Sequence, residues 1–157
     1  MTLSHRVLKF AVLIAVTFGL AACASMGDSD GIALRMTGAE EVPPVSTSAS
    51  GTGTIRVADD RSVSGSFKLQ DAAQILVAHI HTGPAGQNGP IIIPLRKVAD
   101  NEWVVTPGAK LTEEQYAAYK QGRLYVNFHS AAHKGGEIRA QIKPQAGAGG
   151  GVKSSGY

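Results

Sequence analysis

The sequence has little cysteine and few aromatic side chains: Cys23 is the single cysteine among 157 residues, and phenylalanine, tryptophan and tyrosine make up 6%. One cysteine cannot form an intramolecular disulfide, so the fold has to be stable without that crosslink. A large excess of one charge is also missing. Without residues 1–22, which hold Arg6 and Lys9, 13 basic residues face 12 acidic ones. A clustered basic face is not indicated, and nucleic acid is not expected as a partner.

The apolar run of residues 10–20 is too short to cross a membrane. Eleven residues span about 16 Å as a helix, against a hydrocarbon core of about 30 Å. The run follows basic residues and ends in small ones, as export signals do. Cys23 comes directly after Leu-Ala-Ala, which resembles the lipobox of bacterial lipoproteins. Residues 1–22 are therefore predicted to be a lipoprotein signal peptide, with Cys23 carrying the lipid. A secreted protein with an incidental cysteine is the alternative.

Composition divides the remaining chain into three parts. Residues 23–31 are expected to be a lipidated N-terminus and short polar tether, residues 32–143 one folded domain, and residues 144–157 a flexible tail rich in glycine and serine. Ala24 follows the cysteine in place of an aspartate, which by analogy with lipoprotein sorting in Gram-negative bacteria favours the outer membrane. The protein is thus expected to be exported and anchored to a membrane through its lipid.

Apolar residues of the domain recur mostly with a period of two, which predicts β-strands. Thr112 begins a capping box and Gly122 is a natural C-terminal stop, so one helix is expected between them. Pro94 is expected to stop or bulge its strand. Short strands joined by glycine- and proline-rich turns favour an all-β sandwich with one short helix inserted in a connection. The predicted strands are 54–57 and 63–69, which form a hairpin, then 74–81, 91–95, 102–105, 124–129 and 137–142.

Four histidines of the domain fall into two groups. His79 and His81 are two residues apart on a predicted strand, so their side chains share a face. His129 ends another strand, and His133 lies in the turn after it. If these strands are neighbours, three or four imidazoles converge, and such nitrogen sites suit copper or, less well, zinc. The alternative left open is structural: imidazoles bonded to nearby backbone on a partly buried face, which Val77 would share.

No catalytic residue is predicted. Ser130 is adjacent to His129, and adjacent residues of a strand point to opposite faces, so the two cannot form a dyad. The glycines of residues 83–89 lack the lysine and the helix of a phosphate-binding loop. Glu40 and Glu41 precede a proline-stiffened segment and are expected in a solvated loop, with a role as ligands as the alternative.

Four motifs, taken in order, resemble the CHRD domain, which is named for its occurrence in chordin and is found in many exported bacterial proteins. They are Glu41-Val42-Pro43-Pro44-Val45; Ala78-His79-Ile80-His81 with Gly83, Gly86, Gly89 and Pro90; Gly122 with Tyr125-Val126-Asn127-Phe128-His129; and Gly136-Glu137-Ile138-Arg139-Ala140-Gln141-Ile142. The resemblance implies an extracellular, immunoglobulin-like, Greek-key β-sandwich. It implies a structural role for Glu41, Pro43, Pro44, Gly83, Gly89, Asn127, Glu137 and Arg139. His79, His81 and His129 belong to the pattern, and His133 is outside its clear part.

The expected function is a non-catalytic binding module of the cell envelope that binds copper through His79, His81 and His129. A protein-interaction or structural module with structural histidines is one alternative, and an envelope protein would then be its partner. The other is a metal-dependent redox enzyme similar to copper–zinc superoxide dismutase. That similarity stops early, because the zinc-binding loop is missing and a single cysteine cannot supply the disulfide.

Overall fold

The computed structural model describes residues 31–144, which fold into eight strands and one short α-helix. The elements are β1 (Ile32–Thr37), β2 (Ser50–Val57), β3 (Val63–Gln70), β4 (Ile75–Thr82), β5 (Ile91–Ala99), β6 (Glu102–Val105), α1 (Glu113–Lys120), β7 (Leu124–Ser130) and β8 (Ile138–Ile142), with a 3-10 turn at Gly38–Glu40. The predicted signal peptide, Cys23, the tether up to residue 30 and the tail from residue 145 lie outside the described residues. Within the described part, α1 is far too short and polar to span a membrane.

The strands form one closed antiparallel barrel in the order β1-β2-β3-β6-β5-β4-β7-β8, with β8 returning to β1. The predicted all-β fold with a helix in a connection is confirmed, since α1 lies between β6 and β7. The structure differs from the predicted immunoglobulin-like sandwich, because hydrogen-bonded strand pairing is continuous around the barrel. It includes the β3–β6 and β1–β8 junctions, where a sandwich would have the open edges of two sheets. Those junctions are short: three residue pairs join β3 to β6, and the pair Thr37–Arg139 joins β1 to β8. Period-two patterning sets the face of a strand but does not reveal whether edges meet.

Local sequence signals account for the hairpin and the helix. The predicted hairpin is β2–β3, and β2 begins earlier than expected, at Ser50. The hydroxyl of Thr112 accepts from the N–H of Gln115, whose side chain in turn accepts from the N–H of Thr112, which confirms the capping box. Gly122 follows the helix with φ of 66°, a conformation that favours glycine. The strand β1 was not predicted, although its buried and exposed residues alternate.

Pro94 does not end its strand, which continues to Ala99. The proline lies where β5 changes partner: it pairs with His79 of β4, and the next residue, Leu95, pairs with Val105 of β6. Proline has no N–H to donate, and a change of partner is a position that tolerates this loss. Its carbonyl accepts from the hydroxyl of Thr106 at 2.7 Å.

The barrel interior is an apolar core, and its burial is the main stabilising contribution to the fold. Phe128 lies near its centre, with Phe67 and Trp103 packed edge-on at ring separations of 5.7 and 5.9 Å. The strand that carries Phe128, β7, is buried along its whole length. Because β7 is buried on both faces, other parts of the chain must cover its outer face. The candidate site lies on that outer face, beneath the covering loops.

Candidate metal centre

The outer face of β4, β7 and β8 carries polar side chains that are buried beneath loops. On β7, the residues Tyr125, Asn127 and His129 point away from the core, and each is buried. The loop of residues 83–90 contacts this layer from one side, and the turn of residues 131–136 contacts it from the other. Polar groups in such a layer need specific partners, because they have lost water.

Three of the four candidate histidines meet in this layer. In the β4–β7 register, Val77 is opposite His129 and His79 is opposite Asn127, so His129 lies diagonally across from His79. The Nδ1 of His79 is 3.3 Å from the Nε2 of His129. One nitrogen from each of these two rings and from His81 lies within 4.8 Å of the others. The condition set by the sequence, that the two strands be neighbours, is therefore met.

His133 does not join this group. Its backbone N–H donates to the hydroxyl of Ser130 at 3.1 Å, and its ring is close enough to Glu137 to help lower the pKa of that carboxyl. The cluster identified among residues 31–144 contains His79, His81 and His129 without it.

Two of the rings have their orientation fixed by backbone carbonyls. The Nδ1 of His81 is 3.0 Å from the carbonyl oxygen of Gly89, and the Nδ1 of His129 is 3.1 Å from that of Lys134. A carbonyl can only accept, so each Nδ1 carries the proton and each Nε2 carries a lone pair. The Nε2 of His81 is buried and has no hydrogen-bond partner within residues 31–144. Metal-bound histidines have this same arrangement, with the outer nitrogen donating to a carbonyl.

The donor set fits a copper or zinc ion. Metal–nitrogen bonds of 2.0–2.1 Å place two ligands of a tetrahedral site about 3.4 Å apart. His79 and His129 already have that separation, and a modest movement of His81 would complete a three-imidazole site with one open position. His79 is the most exposed of the three, so solvent reaches the site from its side.

The electrostatics keep the three rings neutral. Burial lowers the pKa of His81 to about 4; the bond to the Gly89 carbonyl opposes this shift, and the charges of His129, His79 and Arg139 add to it. Burial also lowers the pKa of His79 and of His129, the latter opposed by the Lys134 carbonyl. Neutral imidazole is the form that a metal ion requires, and the three rings have this form at neutral pH.

Arg139 lies in the middle of the polar layer and is 2% exposed. Its guanidinium donates to the Oδ1 of Asn88 at 3.1 Å, to the carbonyl of Gln87 at 3.0 Å and to the Oε1 of Gln141 at 3.2 Å. It also lies 3.5 Å from the centre of the Tyr125 ring. Arg139 and Gln141 lie on the face of β8 opposite the core, alternating with the buried Ile138, Ala140 and Ile142, and the loop covers that face.

Glu41 is 4% exposed, so the prediction of a solvated loop is wrong for this carboxylate. Its Oε2 is 3.4 Å from the Nδ2 of Asn127, and Gly136 packs directly against both side chains. Burial raises the pKa of Glu41 to about 7, opposed by the charge of Arg139 and by bonds from Asn127 and the Val42 backbone. The nearby Val42–Pro43 bond is cis, and Pro43 and Pro44 are exposed.

Glu137 is a second buried carboxylate, and it joins separate parts of the chain. Its Oε1 accepts from the hydroxyl of Thr47 at 2.8 Å and from the amide of Gln74 at 2.6 Å. Burial opposes ionisation, but hydrogen bonds from Ser130, Thr47 and Gln74 and the charge of His133 leave the pKa below its ordinary value. Glu137 thus connects β8 to the segments that precede β2 and β4.

Two glycines of the covering loop are required by close packing. A Cβ on Gly89 would collide with the carbonyl of Thr82, and one on Gly83 would lie 2.9 Å from the ring of Tyr125. No role was predicted for Tyr125, although it occurs two residues before Asn127 and four before His129. That alternation of aromatic and polar residues on a strand with a buried opposite face is a signal that could have identified it.

The comparison with protein families decides the relationship. A model of the CHRD domain matches residues 32–142. The chain belongs to the CHRD domain family. Neither the curated proteins nor the solved structures gave a match. In this CHRD domain, the matched segment contains the histidine strand β4, both covering loops and the carboxylates Glu41 and Glu137.

Proposed function

We propose that this protein is an exported, lipid-anchored CHRD module that binds a copper ion through His79, His81 and His129. The observation that carries the proposal is the buried Nε2 of His81, which has no partner among the described residues although the opposite nitrogen is held by Gly89. A buried lone pair with nothing to accept from is unfavourable. A metal ion shared with the two neighbouring rings would satisfy it.

The choice of copper follows from the ligands. Three neutral imidazoles form a nitrogen site, which does not suit magnesium or calcium. For a given nitrogen site, divalent copper binds more tightly than zinc. Zinc is the second choice, since a three-histidine site with an open position also accommodates it.

The location rests on the sequence. Residues 1–22 have the composition of a lipoprotein signal peptide, and Cys23 stands where the lipid would be attached. In this proposal the lipid holds the CHRD domain at a membrane of the cell envelope, in Gram-negative bacteria the outer membrane. The module binds its metal without catalysing a reaction.

A second candidate function is an interaction module in which the histidines are structural. It is favoured by the same bonds that fix the rings: His81 ties the 83–90 loop to β4, and His129 ties the 131–136 turn to β7. Those bonds stabilise the loops whether or not a metal is present. The partner in that case would be an envelope protein.

The test is metal binding by the chain without its predicted signal peptide. Copper and zinc titrations, with metal content measured after dialysis, are compared for the parent, a His79→Ala/His81→Ala variant and a His133→Ala control. We expect one copper per chain with micromolar affinity or better, lost in the double variant and retained in the control. No binding by the parent would exclude the metal site and favour the interaction module.

A further inference from the structure

The loop of residues 83–90 is attached to β8 mainly through Arg139. The guanidinium reaches the side chain of Asn88 and the carbonyls of Gln87 and Pro84, at 3.1, 3.0 and 3.5 Å. Gln141, two residues further along β8, donates to the carbonyl of Gly83 at 3.0 Å. Bonds to a charged donor are stronger than neutral ones, so Arg139 is the main attachment.

The same loop carries the carbonyl that orients His81. The carbonyl of Gly89 accepts from the Nδ1 of His81 at 3.0 Å, and the N–H of Gly89 donates to the hydroxyl of Tyr125 at 3.0 Å. Gly89 is therefore bonded to both His81 and Tyr125. Because it belongs to the 83–90 loop, its position also depends on how that loop is attached.

The ring of Tyr125 lies between the guanidinium of Arg139 and the imidazole of His81. Its ring is stacked on the imidazole at 4.8 Å with an interplanar angle of 11°, and the guanidinium lies 3.5 Å from its centre. Because β4 and β8 flank β7 on opposite sides, the tyrosine ring is held between the two. Arg139 thus reaches His81 by two routes, through the loop and through this stack.

We propose that Arg139 is a positioning residue for the three-histidine site. It fixes the 83–90 loop, and the loop, through the Gly89 carbonyl, keeps the proton of His81 on Nδ1 and directs Nε2 into the site. The inference rests on the proposed metal site for its effect on binding, but the orientation of His81 is a property of the metal-free protein. Outer partners of ligating histidines typically change metal affinity by about 10- to 100-fold.

Asn88 allows the attachment to be weakened without disturbing the core. Its side chain is exposed, its Oδ1 accepts from Arg139, and its Nδ2 donates to the carbonyl of Val42 at 2.7 Å. Asn88→Ala removes both bonds and leaves every buried side chain in place. Asn101→Ala, at an exposed asparagine in the turn between β5 and β6, is the matched control.

The experiment compares the parent with Asn88→Ala, Arg139→Lys and Asn101→Ala. Long-range ¹H–¹⁵N NMR of the metal-free proteins identifies which nitrogen of His81 bears the proton, and copper titration gives the affinity. We expect Nδ1 protonation in the parent and the control. In Asn88→Ala and Arg139→Lys we expect a mixture of the two tautomers and copper binding weakened about 10-fold or more. His129, which is held by Lys134, should keep its tautomer throughout, which a general loosening of the fold would not allow.

Unchanged His81 tautomer and unchanged affinity in both variants would overturn the proposal. If Arg139→Lys fails to fold, Asn88→Ala decides, together with Tyr125→Phe, which removes the hydroxyl bonded to Gly89 and keeps the ring. If the parent binds no copper, the proposed function is wrong, and the tautomer of His81 still decides whether Arg139 positions the ring.

Discussion

The Nδ1 of His79 lies 3.3 Å from the Nε2 of His129, a residue 50 positions further along the chain. Because the Nδ1 of His129 donates to the Lys134 carbonyl, its Nε2 is an acceptor, and the Nδ1–H of His79 donates to it in the metal-free protein. A metal ion bound at Nδ1 would take the place of that proton, and the ring would stay neutral with its proton moved to Nε2. Of the three proposed ligands, His79 is therefore the one whose bonding would change on metal binding, whereas His81 and His129 are already oriented.

This difference between the rings predicts different effects of two substitutions. His79→Ala should weaken copper binding at least 10-fold and lower the metal-free unfolding free energy by only about 0.5–1.5 kcal/mol, since the ring is half-buried and makes one hydrogen bond, to His129. His81→Ala should lower that free energy more, by about 1–3 kcal/mol, because it removes a buried ring and the closest donor to the Gly89 carbonyl, which keeps only the Tyr125 hydroxyl at 3.4 Å. Copper titration and urea unfolding in metal-free buffer measure both effects. A large destabilisation by His79→Ala without metal would instead favour structural histidines.

Because the pKa of His81 is lowered, we expect the folded protein to lose stability in mild acid. Its pKa is about 4 in the folded protein, below the ordinary 6.5, so between these values the unfolded chain binds a proton that the folded one does not. The stabilising contribution is present above pH 6.5 and is lost as the pH falls toward 4, by roughly 2–3 kcal/mol. Urea unfolding of the metal-free protein between pH 4 and 7.5 measures it, with His81→Gln expected to give a flatter profile. Parallel profiles for the two proteins would contradict the prediction.

Because the pKa of Glu41 is raised, we expect its contribution to the free energy of unfolding to change with pH in the opposite direction. Its folded pKa of about 7 is above the ordinary 4.5, so the folded protein keeps a proton that the unfolded chain has released. Stability is lost as the pH rises through this interval. Glu41→Gln should raise the unfolding free energy by about 1–3 kcal/mol at pH 8 and change it little at pH 4. A variant that is less stable than the parent at pH 8 would show that attraction to Arg139 outweighs burial.

Gly89 predicts a site-specific intolerance to a side chain. Gly89→Ala places a methyl group against the Thr82 carbonyl and should displace the loop, lowering the unfolding free energy by about 2 kcal/mol or more and weakening copper binding. Gly135→Ala is the control, because a Cβ there meets nothing within 4 Å and should change stability by no more than about 0.5 kcal/mol. Equal melting temperatures for the two variants would show that the loop adapts without loss.

The sequence predicted individual elements better than their assembly. Seven of the eight strands and the capped helix follow from local patterns, as the Thr112 capping box shows. Closure of the barrel depends on the Thr37–Arg139 pair, which joins the two ends of the domain, and no local pattern records it. The burial of Glu41 and Arg139 could not be predicted for a related reason. Charged side chains are usually exposed to solvent, and the burial of these two depends on loops that are distant in sequence.

The histidine cluster shows the same limit. The spacing of His79 and His81 predicted a shared face correctly, but β7, which brings His129, is separated from β4 along the chain by β5, β6 and α1. The adjacency of these strands could only be stated as a condition. The carbonyls of Gly89 and Lys134 carry no side-chain signal at all, although they decide which nitrogen each ring presents.

Arg139 closes the barrel with its backbone and holds the covering loop with its side chain. The strand junction with the fewest paired residues, β1–β8, and the main attachment of the loop therefore both depend on this one residue. A local opening of β8 that displaces Arg139 would separate β1 from β8, release the main attachment of the 83–90 loop and let water reach the histidines while the rest of the barrel stays intact. Bound copper, by stabilising the closed form, should slow amide hydrogen exchange at Thr37 and Gly89 more than at the β2–β3 hairpin. The same local opening would then expose the metal site and separate β1 from β8. A metal ion bound on the outer face of the barrel would therefore stabilise the pairing that closes it.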